Sequence, residues 1–194
     1  MTRAHRADPA RRRLLGAGLA AAALALAAPL APARAADAAD VIDLRVDHSI
    51  QDLMNSVDGA RELMSRAKGV LVMPSITKAG LLVGGMYGEG ALRIGGQSVG
   101  YYSVGAASLG LQAGVQKFDQ ALFFMTTAAL ENFRRSSGWE LAADAEVTAM
   151  NNNLAGTVTS RTTQHPVIAV IYGQEGLMAG VSLEGAKYTQ LKER

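Results

Sequence analysis

The segment "GQSVG", residues 96–100, fits the nucleophile-elbow pattern G-x-S-x-G, in which a serine sits on a sharp turn between a strand and a helix. Ser98, Asp144 and His165 also follow one another in the chain order of that catalytic triad. However, the residues after Gly100 are aromatic residues and glycines, which form helices poorly. A serine hydrolase with Ser98 as nucleophile is therefore the least favoured of three functional hypotheses.

The glycine-rich stretch "LLVGGMYGEGALRIGG", residues 81–96, raises the question of a phosphate-binding loop. Nucleotide-binding fingerprints place ordered glycines between a strand and a helix, whereas this stretch leads into another strand pattern. Residues 176–186 repeat the pattern of residues 81–91, ending in Glu-Gly-Ala both times. The repetition predicts strand positions where the sheet curves or another backbone passes closely, at Gly85, Gly90, Gly180 and Gly185.

Other catalytic or metal chemistry has little support. Glu89 and Glu184 occupy equivalent places in the two similar segments and could pair across a sheet, but solvated strand positions are the more usual role of such residues. The chain has no cysteine, and beyond residue 35 its histidines are His48 and His165. We therefore predict no metal site and no cofactor.

The first 35 residues have the features of an export signal. Arginines including the run Arg11–Arg13 precede an apolar, alanine-rich stretch, and Ala33-Arg34-Ala35 fits a secretory cleavage site. Arg11 and Arg12 resemble a twin-arginine pair, although Ala10 replaces the usual Ser or Thr, so the twin-arginine and general secretory routes both remain open. A retained membrane anchor is the less favoured alternative, because the stretch is short and contains Pro29.

The export signal also accounts for the excess of basic over acidic residues in the whole chain. Residues 1–35 hold six of the 19 Lys and Arg residues but one of the 17 Asp and Glu residues, so the remainder is net acidic. The calculated pI of about 9.0 is therefore no argument for nucleic-acid binding.

Periodicity predicts the elements of the remaining chain. Residues 36–48 look like an acidic linker or a loosely docked first segment, and an amphipathic helix is expected from Ser49, with Ser49 as N-cap. Strands are expected at 69–74, on both sides of a Gly95-Gly96 hairpin turn, at 108–116 and at 120–125, followed by a short helix ending at Gly138. A last hairpin is expected across residues 173–176. These elements predict an α+β fold with a strongly curved, partly closed, mostly antiparallel sheet.

Four segments together resemble the SYLF domain family, across residues 49–190. They are "AKGVLVMPSITKAGLLVGGMYGEGAL", "GYYSVGAASLGLQAGVQKFDQALFFMTTAALENF", "SSGWELAADAEV" and "GLMAGVSLEGAKY". The family occurs in eukaryotic actin-patch regulators and in exported bacterial proteins. The resemblance implies a non-catalytic module that binds phospholipids, with phosphoinositides and actin filaments as ligands of eukaryotic members.

The resemblance also suggests where lipid would bind. The family's membrane contact lies in an N-terminal amphipathic segment and its basic residues, which correspond here to Ile50, Leu53, Met54, Val57, Arg61, Arg66, Lys68 and Lys78. Asp52, Asp58 and Glu62 share that helix, so weak attraction to anionic lipid is expected. An exported protein would meet neither actin nor phosphoinositides, so these ligands are not carried over.

Three functions follow, in order of preference. The first is a periplasmic or secreted, envelope-associated domain, 49–194, that binds a phospholipid surface. The second is a scaffold that binds another envelope protein. The third is the hydrolase that would use Ser98.

Overall fold

The computed structural model describes residues 35–80, 83–109, 114–141, 147–151, 165–176 and 185–192. They form three helices and eight strands in the chain order α1 Ala35–Ser56, α2 Ala60–Arg66, β1 Gly69–Gly80, β2 Val83–Ile94, β3 Gln97–Leu109, β4 Gly114–Phe124, α3 Thr127–Arg135, β5 Trp139–Glu140, β6 Val147–Asn151, β7 Val167–Gly176 and β8 Lys187–Gln190. The strands make one sheet in the order β5-β8-β3-β2-β1-β4-β7-β6. Only β6 and β7 pair in parallel within the described strands, so the predicted α+β, mostly antiparallel class is confirmed.

The sheet curls strongly on itself. The Tyr188 hydroxyl in β8 donates a 2.8 Å hydrogen bond to the Gln120 side-chain oxygen in β4, although β3, β2 and β1 lie between these strands. A flat sheet would hold these strands far apart, since neighbouring strands are about 4.8 Å apart. The predicted partial closure is therefore present.

Each face of the sheet has its own apolar core. On the inner face, α3 contributes Leu130 and Phe133, which pack with Phe124, Trp139 and other buried residues. On the outer face, α1 and α2 cover buried strand residues with side chains at helical spacing, namely Ile42, Val46, Leu53 and Leu63. Together these cores hold α1 and α3 on opposite faces of the same sheet.

The first helix begins much earlier than the sequence suggested. Residues 36–48, expected as a linker, form the first half of α1, because Ile42 and Val46 extend the buried stripe of Leu53 toward the N-terminus. Ser49 is a buried residue in the middle of α1, not its N-cap. At the other end, Gly59 (φ +82°) separates α1 from α2.

Strand β1 continues through Pro74, where the sequence predicted its end. The register with both neighbouring strands shifts between Val72 and Thr77, which identifies a bulge around Pro74. A proline is tolerated in a central strand at a bulge because its missing N–H interrupts no regular ladder there. Ser75 beside it has φ +51°, and its N–H donates to Asp119 Oδ1 over 2.8 Å.

The glycine-rich stretch has two structural roles. Gly95 and Gly96, with φ of +59° and +83°, form the predicted two-residue turn between β2 and β3. At Gly90 the backbone of β2 passes close to the backbone of β1, since a Cβ there would lie 2.0 Å from the Val72 carbonyl oxygen. At Gly85 a Cβ would meet only Ala106 O at 3.6 Å, so the close approach expected at Gly85 is wrong.

Two further predictions, both for the C-terminal half of the chain, differ from the structure. Residues 108–116 were expected as one strand, but β3 ends at Leu109 and β4 begins at Gly114. β7 runs through residues 173–176, where the turn of the last hairpin was expected, so that turn is wrong; β8 pairs with β3 and β5, whereas β7 pairs with β4 and β6. Gly180 and Glu184 lie outside the described residues, and Gly185 has φ +71° in the turn before β8.

Candidate functional site

The apolar residues expected to touch lipid lie at the interface between α1 and the sheet. Leu53 is fully buried, and Ile50, Met54 and Val57 are partly buried against the same outer-face core. For these four side chains to enter a membrane, α1 would have to leave the sheet.

The basic residues expected to touch lipid separate into two groups. Arg61, Arg66 and Lys68 are exposed on and just after α2, where Arg66 pairs with Glu62 over 3.1 Å. Lys78 is buried on the inner face of the sheet. The structure therefore brings three of the four cations together and places the fourth elsewhere; their role in lipid binding stays a prediction.

The solvent-facing side of α1 carries apolar residues that the sequence reasoning missed. Val41 and Leu44 are both exposed, Leu44 by 72%. Arg45 and His48 share this side, because positions i, i+3, i+4 and i+7 line up on a helix. We call Val41, Leu44, Arg45 and His48 the α1 outer stripe. The pattern was present in the sequence, but it fell within the segment interpreted as a linker.

A polar cluster attaches the first half of α1 to the hairpin of β2 and β3. Arg93 donates to Asp47 Oδ1 over 2.7 Å and lies 3.4 Å from Asp43 Oδ1. Ser98 and Tyr101 donate to the two carboxylate oxygens of Asp43, over 2.6 and 3.0 Å. We call these five residues the α1 clasp. Hydrogen bonds to charged groups contribute more than neutral ones, so the clasp favours the docked helix.

A second polar cluster attaches the middle of α1 to β4 and β7. The Ser49 hydroxyl donates to Asp119 Oδ2 over 2.5 Å and lies 2.7 Å from the Tyr172 hydroxyl. Burial raises the pKa of Tyr172 well above its usual value, so this phenol stays neutral and able to donate. Since Asp119 also accepts the Ser75 N–H, one carboxylate connects α1 with the bulge of β1.

The surroundings of Ser98 differ from those of a nucleophile elbow. Ser98 lies in β3, just after the hairpin turn, with a strand following instead of a helix. Its hydroxyl donates to a carboxylate of α1 rather than to a histidine base. Asp144 lies outside the described residues.

Replacing Ser98 by alanine is expected to cost about 1 kcal/mol of stability, because one clasp hydrogen bond is lost. A fluorophosphonate probe should not label the wild-type protein at Ser98, since its hydroxyl lies on a strand and donates to Asp43, not to a histidine at a nucleophile elbow. Mass spectrometry after labelling tests the second statement. Stoichiometric modification of Ser98 would revive the hydrolase hypothesis.

Glu89 is engaged on the outer side of β2. The Tyr87 hydroxyl donates to Glu89 Oε1 over 2.5 Å, and both residues line a surface groove of about 450 Å³ with Arg45. The hydrogen bond to Glu89, together with partial burial, raises the pKa of Tyr87 from 10.0 to about 12. With Glu184 outside the described residues, a Glu89–Glu184 pair stays untested.

The Glu89→Gln variant should lower the pKa of Tyr87 toward its ordinary value of about 10, because the carboxylate that favours the neutral phenol is removed. At about pH 10.5, Tyr87 should therefore be mainly neutral in the wild type and largely ionised in the variant. The ¹³Cζ chemical shift of Tyr87, assigned with Tyr87→Phe, measures this. Identical ionisation in the two proteins would contradict the hydrogen bond.

Neither a metal site nor a membrane-spanning helix is found in the described part of the chain. No group of three or more His, Asp or Glu residues there is placed to hold a metal ion. None of the helices in the described ranges is long and apolar enough to cross a membrane.

Comparison with protein-family models gives a match for the C-terminal part of the chain. Residues 105–194 match the family model Ysc84, described as "Las17-binding protein actin regulator", which is the SYLF domain. The match begins within β3, so it includes Asp119 and Tyr172 but neither α1 nor α2. Comparison with curated proteins gives no match. The resemblance drawn from the sequence is therefore confirmed over residues 105–194.

Proposed function

From the SYLF match over residues 105–194, we propose that this protein is a non-catalytic module that binds a phospholipid surface. The observation that carries the proposal is the α1 outer stripe, in which exposed Val41 and Leu44 lie beside Arg45. Exposed apolar side chains beside a cation are typical of helices that lie in the interface of a membrane.

The outer stripe can meet a membrane while α1 remains docked. Its side chains are exposed, whereas Leu53 and its neighbours fill the outer-face core. The α1 clasp and the Ser49–Asp119–Tyr172 cluster both favour this docked state. We therefore propose contact through Val41, Leu44 and Arg45, with Arg61, Arg66 and Lys68 as further headgroup contacts.

The charges of α1 predict a modest preference for anionic lipid. Arg45 and His48 share the helix with several carboxylates, and His48 lies 3.5 Å from Asp52. Each cation near an anionic surface contributes about 1 kcal/mol, and nearby carboxylates oppose it. Apolar contact should therefore supply much of the affinity.

Co-sedimentation of the full chain with liposomes tests this surface. We expect Leu44→Glu to reduce the bound fraction strongly, since a charge replaces an apolar side chain at the interface. The matched control is Val115→Glu, because Val115 is 57% exposed on β4, away from α1. Failure of the wild type to bind vesicles with or without anionic lipid, or equal loss in both variants, would contradict the proposal.

We further propose that residues 1–35 direct export, and that the domain acts in the periplasm or outside the cell at the envelope. A reporter fused to residues 1–40 should leave the cytoplasm and lose mass by cleavage near Ala35. Changing Arg11 and Arg12 together to Lys should stop this export if the twin-arginine route is used. A reporter that stays uncleaved in the cytoplasm would contradict the export proposal.

A protein-binding scaffold is the second candidate. Tyr87 is 56% exposed in the groove with Arg45 and Glu89, a mixed aromatic and charged surface of the kind enriched in protein interfaces. If Tyr87→Ala abolishes capture of an envelope protein while liposome binding is unchanged, the scaffold function gains support.

A further inference from the structure

The inner face of the curled sheet holds a buried cation that the lipid-surface proposal does not require. Lys78 in β1 lies directly opposite Gln116 in β4 and opposite Met86 in β2. Directly opposed residues share a face of the sheet, so these three side chains are neighbours. Lys78 is 6% exposed and Gln116 2% exposed.

The hydrogen-bonding capacity of this pair is incompletely used. Gln116 Oε1 is buried and has no hydrogen-bond partner. Among the ion pairs formed by the described residues, none includes Lys78. A buried ammonium group is costly unless a negative group accompanies it, and buried polar atoms are almost always hydrogen-bonded. A missing partner of Lys78 would therefore carry negative charge, whereas Gln116 Oε1 requires a donor.

Lys78 and Gln116 lie near one end of the curl. The next inward-facing pair toward the strand ends is Gly80 opposite Gly114, at the last residue of β1 and the first of β4. These two positions carry no side chain that could cover Lys78. On the other side, Ile76 and Phe118 are buried and apolar, so they form a floor of low polarity.

We propose that Lys78 and Gln116 form an anion-binding site inside the curl, which takes a carboxylate or phosphate group. The ammonium group of Lys78 donates to the oxyanion, and the amide N–H groups of Gln116 donate beside it. Gln116 Oε1 accepts from a hydroxyl of a protonated phosphate or from a bound water. The apolar floor strengthens these interactions because the local dielectric is low.

The site does not extend to the other buried glutamine of β4. Gln120 Nε2 also lacks a partner, and its Oε1 accepts from Tyr188. Gln120 lies four positions along β4 from Gln116, which is about 13 Å, too far to share one small anion. The site is therefore centred on Lys78.

Thermal unfolding of the full chain in sodium phosphate, acetate and octanoate, matched in ionic strength with sodium chloride, tests the site. The Lys78→Met variant keeps the length of the side chain and removes its charge. Lys117→Met is the matched control, since Lys117 follows Gln116 in β4 and is exposed. We expect the anions to raise the midpoint of wild type and Lys117→Met, but not that of Lys78→Met.

Two further results are expected. In sodium chloride alone, Lys78→Met should melt higher than wild type, because the variant removes a buried lysine that forms no ion pair with the described residues. Calorimetric titration should show that anion affinity falls about tenfold or more in Lys78→Met, and that it is largely retained in Lys78→Arg. Should Lys78→Met fail to fold, Gln116→Leu provides the same comparison with the cation intact and weaker binding expected.

The anions also separate two sources of the ligand. A rise with phosphate and acetate supports a free small anion, and a rise with octanoate alone supports an acyl-chain carboxylate; each outcome supports the site. Equal rises in wild type and Lys78→Met, as preferential exclusion of salts would produce, would overturn the proposal. So would the absence of any rise in wild type. None of these outcomes depends on whether the α1 outer stripe binds vesicles.

Discussion

Replacement of Gly90 by valine is expected to leave little folded protein. A Cβ at this position would lie 2.0 Å from the Val72 carbonyl oxygen, 2.8 Å from Met73 Sδ and 2.9 Å from Met73 Cα. Two of these atoms belong to the backbone of β1, next to its bulge, so no side-chain rotation can relieve the clash. Ordinary overpacking costs about 1–3 kcal/mol, and a backbone clash should exceed that range.

Circular dichroism and thermal melts of glycine variants measure this effect. Because domains of this size are stable by about 5–15 kcal/mol, even Gly90→Ala should lower the unfolding midpoint by many degrees. Gly85→Ala is the matched control in the same strand, where a Cβ meets only Ala106 O at 3.6 Å. Gly95→Asn should also be mild, since its turn accepts Asn. Equal midpoints for Gly90→Ala and Gly85→Ala would contradict the close approach of β2 to β1.

Replacement of Asp119 by alanine is expected to cost at least about 3 kcal/mol, because hydrogen bonds to charged groups contribute about 1.5–3 kcal/mol each and two are lost. The carboxylate accepts from the Ser49 hydroxyl and from the Ser75 N–H. Its loss loosens both the docking of α1 and the bulge of β1. For a chain of this length, the midpoint should fall by about 10 °C.

Three further variants test whether this loss of stability comes from the buried cluster of Ser49, Asp119 and Tyr172. Tyr172→Phe removes one neutral hydrogen bond and should cost about 1 kcal/mol, whereas Ser49→Ala also removes a hydrogen bond to the Asp119 carboxylate and should cost about 2 kcal/mol. Glu175→Ala removes an exposed carboxylate from β7 and should change stability little. An Asp119→Ala midpoint equal to that of Glu175→Ala would show that Asp119 does not hold α1 to the sheet.

Local sequence patterns were sufficient to predict several elements of the fold. The Gly95-Gly96 turn, the apolar run of β4 and the short helix α3 were all predicted from residue type and spacing. These elements depend on contacts close in sequence, through turn conformation, strand burial or the Thr126 cap that accepts from the Ala129 N–H.

Elements that depend on distant contacts were missed. β8 pairs with β3, more than 80 residues away in sequence, and no local pattern distinguishes that partner from β7. The start of α1 was missed because alanine and aspartate also occur in linkers, and the burial of Ile42 and Val46 depends on the sheet. Likewise, the sequence could not distinguish Gly90, which is buried against Val72 and Met73 of β1, from Gly85, which is exposed in the same strand.

In the candidate site, too, local features could be predicted from the sequence, whereas features that depend on distant contacts could not. The sequence identified an amphipathic helix and its exposed cations Arg61, Arg66 and Lys68, but it could not show which apolar stripe the sheet would cover. Lys78 looked like one more surface cation. The shift in alternation after the bulge of β1 turns it to the inner face of the sheet.

The central claim is that α1 meets a phospholipid surface while it remains docked on the sheet. A disulfide between α1 and β3 tests it, because the Ser98 hydroxyl and the Asp43 carboxylate are in contact and the chain contains no native cysteine. The Asp43→Cys, Ser98→Cys double variant can be oxidised to lock the helix and reduced to release it. Liposome co-sedimentation of both forms is the measurement. We predict equal binding of the oxidised and reduced forms, whereas binding by the reduced form alone would show that α1 must leave the sheet to reach lipid.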